Sequence, residues 1–244
     1  RSEFNLCSED SIRNYILNSN CEAIVHCAAY TQVDKAEDEK DLCIKINATA
    51  TKHIAKCAKI LDIPMIYIST DYVFDGTKDG KYTENDETNP INIYGESKLA
   101  VEKMLKWCDK AYGIKYTALR YFNVAGAHPT GEIGEDHSPE SHLIPIILQV
   151  ALGKREHIGI YGDDYPTADG TCIRDYIHVM DLADAHILAL KRLNNGGESE
   201  IFNLGNGEGF SVKEVIEVAR KVTKHPIPAI VSPRRAGDPA KLVA

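Results

Sequence analysis

The sequence predicts an α/β protein built on a doubly wound parallel sheet, and three observations carry that prediction. Short apolar runs alternate with segments of helical periodicity along the chain. The first two runs end in small or hydroxyl residues, Cys27-Ala28-Ala29 and Ser69-Thr70. Tyr94 and Lys98 then stand four residues apart at the start of a long helical segment. In an open parallel sheet ligands lie beyond the C-terminal strand ends, so these three places fall on the side where chemistry occurs.

Composition narrows the class. A chain of 244 residues with 43% hydrophobic residues can bury one large core or two small ones, and the alternation favours one α/β body with an appendage. The net charge of -8 argues against a nucleic-acid partner, and Lys154-Arg155 and Arg234-Arg235 are isolated basic pairs. Seven scattered cysteines without a C-x-x-C suit reduced thiols filling small core positions. Leu143 to Leu152, the longest mainly apolar run, is too short to span a bilayer and contains Pro145 and Gln149. Arg1-Ser2-Glu3-Phe4 has no apolar signal region. The expectation is a soluble cytoplasmic protein with no membrane partner.

In order, residues 10–18 read as a short helix and 22–29 as a buried strand. The small residues ending that strand suit either a flat ligand against the backbone or tight packing. A helix over 39–60 is marked by Leu42, Ile46, Ala50, Ile54 and Ala58, with Asn47 pointing elsewhere. Residues 64–70 are a second strand. The helix from Tyr94 to about Tyr112 has Leu99, Val101, Met104, Leu105 and Trp107 to Cys108 on its apolar face. A strand over 116–123 precedes a long irregular loop, 124–142, of the kind that carries function. A helix follows over 143–152, then an irregular segment over 161–175. A helix over 181–193 has Leu182, Ala185, Leu188, Ala189 and Leu193 inward, and 200–204 is a strand. Gly205-Asn206-Gly207-Glu208-Gly209 reads as a strand-to-helix turn and not a phosphate cradle, because Ser211-Val212-Lys213-Glu214 is a capping box. That helix buries Val212, Val215, Ile216, Ala219 and Val222. No metal site is expected. The aspartates of 161–175 lack calcium-loop spacing, and the nine histidines show no H-E-x-x-H or other ligand spacing.

Tyr94 and Lys98 share one helix face, which places an ammonium near a phenol. A nearby positive charge favours phenolate and moves the pKa down from about 10 toward neutrality. Tyr94 then becomes a general base. The competing reading is a solvated helix face, since Tyr-x3-Lys spacing also arises by chance.

With Ser69-Thr70, Tyr94 and Lys98 in order on this alternation, the chain resembles an extended short-chain dehydrogenase/reductase, which implies a Rossmann-like sheet. His26-Cys27-Ala28-Ala29-Tyr30-Thr31 and Ser69-Thr70-Asp71-Tyr72-Val73-Phe74-Asp75-Gly76 resemble the dTDP-4-dehydrorhamnose reductase family. From Tyr94 onward, Arg120-Tyr121-Phe122-Asn123-Val124-Ala125-Gly126, Arg174-Asp175-Tyr176-Ile177-His178 and Arg234-Arg235-Ala236-Gly237-Asp238 look like the UDP-glucose 4-epimerase family. The chain therefore reads as a hybrid joined near Tyr94. The epimerase resemblance implies bound NAD as transient hydride acceptor, Tyr94 as acid/base, Lys98 as its electrostatic tuner and ribose ligand, and Thr70 as the hydroxyl bonding O4 and the phenolate. Cys27, Ala28, Ala29, Tyr30, Thr31, Asn47 and Phe122 match cofactor positions. Asn123, His142, Leu143, Ile144, Gly159, Ile160, Tyr161, Arg174, Arg235, Asp238 and Leu242 match positions holding a UDP-sugar. Leu242 stands where a large aromatic narrows the sugar pocket in some epimerases, which implies room for an N-acetyl group.

The resulting expectation is a dinucleotide-binding domain over 1–122 and 170–204 and a nucleotide-sugar-binding region over 123–169 and 205–244. The implied activity is UDP-glucose/UDP-galactose epimerisation, and a homodimer is compatible with it. An NADPH-dependent dTDP-4-dehydrorhamnose reductase and a nucleotide-sugar-binding protein without turnover stay open. No glycine precedes Gly76, so the glycine-rich first βαβ unit is expected to be absent, with weak dinucleotide binding and little turnover.

Overall fold

The computed structural model describes residues 4–244, and Arg1-Ser2-Glu3 of the N-terminus lie outside the described residues. In chain order the elements are α1 (Glu9–Leu17), β1 (Ile24–His26), α2 (Val33–Ala36), α3 (Lys40–Ile44), α4 (Ala50–Leu61), β2 (Met65–Thr70), α5 (Ile93–Tyr112), β3 (Tyr116–Tyr121) and β4 (Asn123–Ala125). There follow α6 (Leu143–Ala151), β5 (Ile158–Tyr161), β6 (Ile173–His178), α7 (Val179–Asn194), β7 (Glu200–Leu204), β8 (Gly209–Ser211), α8 (Val212–Thr223), β9 (Ala229–Ser232) and β10 (Lys241–Leu242). Two compact units result, residues up to 75 with 84–121 and 184–204, and residues 76–83 with 122–183 and 205–244.

The first unit is the expected parallel sheet, in the order β1-β2-β3-β7. Period-two alternation sends Met65, Tyr67, Tyr116 and Ala118 to a cluster with Ile12 of α1, Ile54 of α4 and Leu105 of α5. Ile66 and Leu119 point the other way, onto Ala189 and Leu193 of α7. Burial on both faces is why β2 and β3 read as nearly continuous apolar runs.

Several expectations shift in this unit. The helix over 39–60 is interrupted by a π turn, Lys45–Thr49. Cys43, Asn47, Ala50 and Ile54, at i, i+4, i+7 and i+11, form the buried face, while Leu42 lies about 100° off it and is exposed. Asn47, read as pointing elsewhere, is therefore an interior residue. Trp107 lies on the outer side of α5 with Lys110 over its ring, and Leu188 of α7 is also exposed. The strand over 116–123 breaks at Phe122, because β4 leaves β3's sheet and pairs with β6.

In the second unit β6 pairs with β4 and β10 in parallel and with β8 in antiparallel fashion. Those pairings carry residues 170–183 into this unit and not the first, where the sequence grouped them. They also place β6 from Ile173 in the segment expected to be irregular. β5 and β9 form a separate parallel pair under α6 and α8, with Ile147, Val150, Ile158, Ile160, Ile216 and Ile227 as core. The capping box at Ser211 and Glu214 forms, with bonds of 3.1 and 2.7 Å. Val222 is exposed on α8. The turn after β7 leads into β8, and its N–H groups serve a carboxylate: Asn206 N and Gly207 N donate to Asp175 at 2.6 and 2.8 Å. Among the described residues no helix is long and apolar enough to cross a membrane.

Candidate active site

Three fixed points place Tyr94 at the start of α5. The Asn92 side chain accepts from Gly95 N at 2.8 Å, and Glu37 Oε1 accepts from Ile93 N at 2.7 Å, so two orphan donors of the first turn are satisfied. Gly95 lets the helix press against the turn after β2, since a Cβ there would lie 2.2 Å from Tyr72 O. The Tyr72 and Tyr94 rings meet edge-on with centroids 6.0 Å apart. Thr70 ends β2 and opens the short turn Asp71–Val73, its Oγ1 accepting from Tyr72 N at 3.2 Å. The same hydroxyl donates to Asp71 Oδ1 at 3.1 Å and stands close enough to the Tyr94 phenol to lower its pKa. One turn along α5, Lys98 Nζ donates to Ile68 O at 2.8 Å and lies 5.9 Å from the centre of the Tyr94 ring. Thr70, Tyr94 and Lys98 are thus brought together as their order in the chain implied.

The electrostatics differ from the expectation. Burial pushes the Tyr94 phenol well above its ordinary value, Asp71 and Tyr72 add to that, and the Thr70 hydroxyl opposes it. Lys98 does not bring the phenol toward neutrality here, because desolvation outweighs a cation beside the ring. The lysine responds to the same burial, which lowers its pKa to about 8. His26, at the end of β1, is held near 4 by burial and by Lys98, so it is neutral. Its Nε2 meets Thr51 Oγ1 at 2.9 Å.

A buried ionic cluster lies next to this trio and went unread in the sequence. Glu102 continues the Tyr94–Lys98 stripe by one more turn, and Arg120 of β3 clamps it with bonds of 3.0 and 2.7 Å. Ser69 shares the parity of Met65 and Tyr67, so it faces α5 and donates to Glu102 at 2.5 Å instead of joining Thr70. The signal was present: an acid on a helix stripe that also carries Lys98 needs a buried partner.

The chain leaving β1 has Cys27, Ala28 and Thr31 exposed and Ala29 and Tyr30 half-buried. Asn47 holds this segment from behind: Tyr30 N donates to its Oδ1 at 2.7 Å, and its Nδ2 donates to Tyr30 O at 3.2 Å and to Ser97 Oγ at 2.8 Å. With its polar atoms so engaged, Asn47 positions the segment and offers no free group to a ligand.

In the second unit Arg174 of β6 donates to Asp238 Oδ1 at 2.5 Å, and Arg235 reaches Asp238 Oδ2 at 3.3 Å. Arg235 also lies 5.2 Å over the ring of Tyr161, the last residue of β5 after Gly159 and Ile160. Asp238 therefore orients two guanidinium groups. Leu242 pairs in register with Arg174 on β10 but has no exposed surface, so it is core and not the open pocket wall expected of it. Phe122 is buried and Asn123 half-buried in β4, while His142 immediately precedes Leu143 and Ile144 at the start of α6.

The pattern of the NAD dependent epimerase/dehydratase family matches residues 1–205. The chain belongs to that family. A UDP-glucose 4-epimerase of Halalkalibacterium halodurans is 54% identical over 224 residues, which is 91% of this chain and 67% of that protein. A crystal structure of a UDP-glucose 4-epimerase is 50% identical with a TM-score of 0.90, covering 98% of this chain and 73% of that one. The Bifidobacterium longum UDP-glucose 4-epimerase, solved with NAD+ and UDP, is 34% identical with a TM-score of 0.90, covering 98% of this chain and 72% of that one. Matching of this extent in an epimerase family runs through the segment that reads as reductase-like and the segment after Tyr94 alike.

The residues present fit the nicotinamide-ribose end of NAD. Lys98 is a buried ammonium with three donors, and one hydrogen bond, to Ile68 O, accounts for only one of them. Cys27, whose thiol feels the Lys98 charge, and Ala28 follow β1 as exposed small residues. For this family the cofactor is NAD.

Proposed function

We propose that this protein interconverts UDP-glucose and UDP-galactose as a UDP-glucose 4-epimerase. The observation that carries the reading is the half-buried Tyr94 at the start of α5, with the Lys98 ammonium 5.9 Å from its ring centre and Thr70 close enough to act on its phenol. Lys98 and the Cys27–Thr31 segment would hold NAD, with Asn47 fixing that segment and Phe122 placed at the nicotinamide by resemblance. When bound, NAD supplies a reversible hydride acceptor and a positive charge near the phenol. That charge favours the phenolate that burial resists, as does the Thr70 hydroxyl. Tyr94 then takes the proton from the sugar O4 and later returns it, and Thr70 keeps O4 and the phenol oxygen aligned. Arg174 and Arg235 suit the diphosphate, because a guanidinium forks onto phosphate oxygens and stays charged. Asn123, His142 to Ile144 and Gly159 to Tyr161 complete the sugar-nucleotide contacts by resemblance.

Such an activity fits a cytoplasmic protein without nucleic-acid or membrane partners, and a homodimer is compatible with it. The reductase reading of residues 22–90 is the weaker one, since UDP-glucose 4-epimerases match 98% of the chain. The test is to measure UDP-galactose conversion with NAD, dTDP-4-keto-sugar reduction with NADPH, and UDP binding in parallel. Conversion of UDP-galactose alone supports the epimerase. Consumption of NADPH with the keto-sugar would install the reductase, and UDP binding without either turnover would leave a binding protein.

A further inference from the structure

We propose that His137, Glu140 and His142 form a binding site for a divalent transition metal of the zinc class. Linear spacing gave no hint of it, yet the loop before α6 folds one ligand atom from each residue to within 4.8 Å of the others. His142 Nδ1 lies 3.1 Å from Glu140 Oε1, and His137 Nδ1 lies 3.6 Å from the same oxygen. Zinc bonds to imidazole nitrogen and carboxylate oxygen are about 2.0–2.2 Å, so tetrahedral ligands stand roughly 3.4 Å apart. The two observed separations bracket that spacing.

Charge and orientation point the same way. Glu135 Oε1 also lies against His142 Nδ1, at 2.5 Å, so two carboxylates crowd one ring nitrogen. A dication among two neutral imidazoles and two carboxylates balances that charge. The Glu140 side chain is only 7% exposed and is oriented in advance, because its Oε1 accepts from Ser141 N and His142 N at 2.8 Å each. Imidazole with carboxylate is a donor set that selects zinc, nickel, cobalt or copper over magnesium or calcium. His142 also matches a UDP-sugar position, so the readout has to be binding and not turnover.

The experiment is calorimetric titration of the chelator-treated protein with zinc chloride near neutral pH, beside His137→Ala and Glu140→Gln, with cobalt absorption as a second probe. Both substitutions lie in the loop before α6, and circular dichroism checks their folding. The expected result is one equivalent bound, weakened at least tenfold in each variant, with a cobalt spectrum lacking thiolate charge transfer. Zinc affinity unchanged by both substitutions, or a cobalt spectrum showing thiolate ligation, would place any metal at cysteines and overturn the proposal. Absence of zinc binding would equally overturn the proposal and leave the cluster a histidine–carboxylate clasp that holds the loop.

Discussion

Replacing Lys98 by Met should stabilise the protein while removing its function. Lys98 is only 3% exposed, and its pKa falls from 10.5 to about 8, chiefly through desolvation. At roughly 1.4 kcal/mol per unit, holding that ammonium charged at pH 7 costs about 3 kcal/mol. Methionine fills a similar volume but loses the bond to Ile68 O, which returns about 1 kcal/mol of the gain. A net gain of about 2 kcal/mol corresponds to a melting temperature higher by about 4–8 °C in a chain of this size. The sign with pH follows from proton counting. Between pH 8 and 10.5 the unfolded chain holds the lysine proton and the folded chain has released it, so wild-type stability rises with pH across that window. The gap between variant and wild type should therefore be widest below pH 8 and close toward 10.5. Calorimetric melting of both proteins at pH 7 and 10 checks this. A variant that melts lower than wild type at pH 7, or a gap that ignores pH, would refute the claim that the buried charge is costly.

Gly95→Ala puts a Cβ 2.2 Å from Tyr72 O, where backbone must move. It should cost about 1–3 kcal/mol of stability and lower kcat by displacing Tyr94, as denaturant melts and steady-state kinetics will show. Arg174→Ala should weaken UDP binding by about 1.5–3 kcal/mol if the guanidinium meets phosphate, and unchanged affinity in a calorimetric titration would remove it from the site.

The sheet was legible because β2 and β3 are buried on both faces and α5 is long and capped. The inner face of residues 39–60 was not, because uniform four-residue steps from Leu42 drift off the 3.6-residue face on which polar Asn47 lies with Cys43, Ala50 and Ile54. Trp107, Leu188 and Val222 misled for a related reason: each is apolar and near a buried stripe, but helix rotation puts it outside. At the site, Tyr94 and Lys98 could be named from spacing, but their electrostatics could not, since depth of burial sets the sign for Tyr94. Leu242 was assigned to a pocket wall by position in a family pattern, and pairing with β6 buries it instead. His137, Glu140 and His142 come together through the path of a loop that has no periodicity to read.

The most direct test of the account is Tyr94→Phe, assayed for conversion of UDP-galactose to UDP-glucose with NAD supplied and for UDP affinity by calorimetry. Removing one hydroxyl should abolish conversion and leave UDP affinity nearly unchanged, because the phenol acts on a proton and adds little to ground-state binding. Turnover retained within about tenfold of wild type would contradict the assignment of Tyr94 as the acid/base.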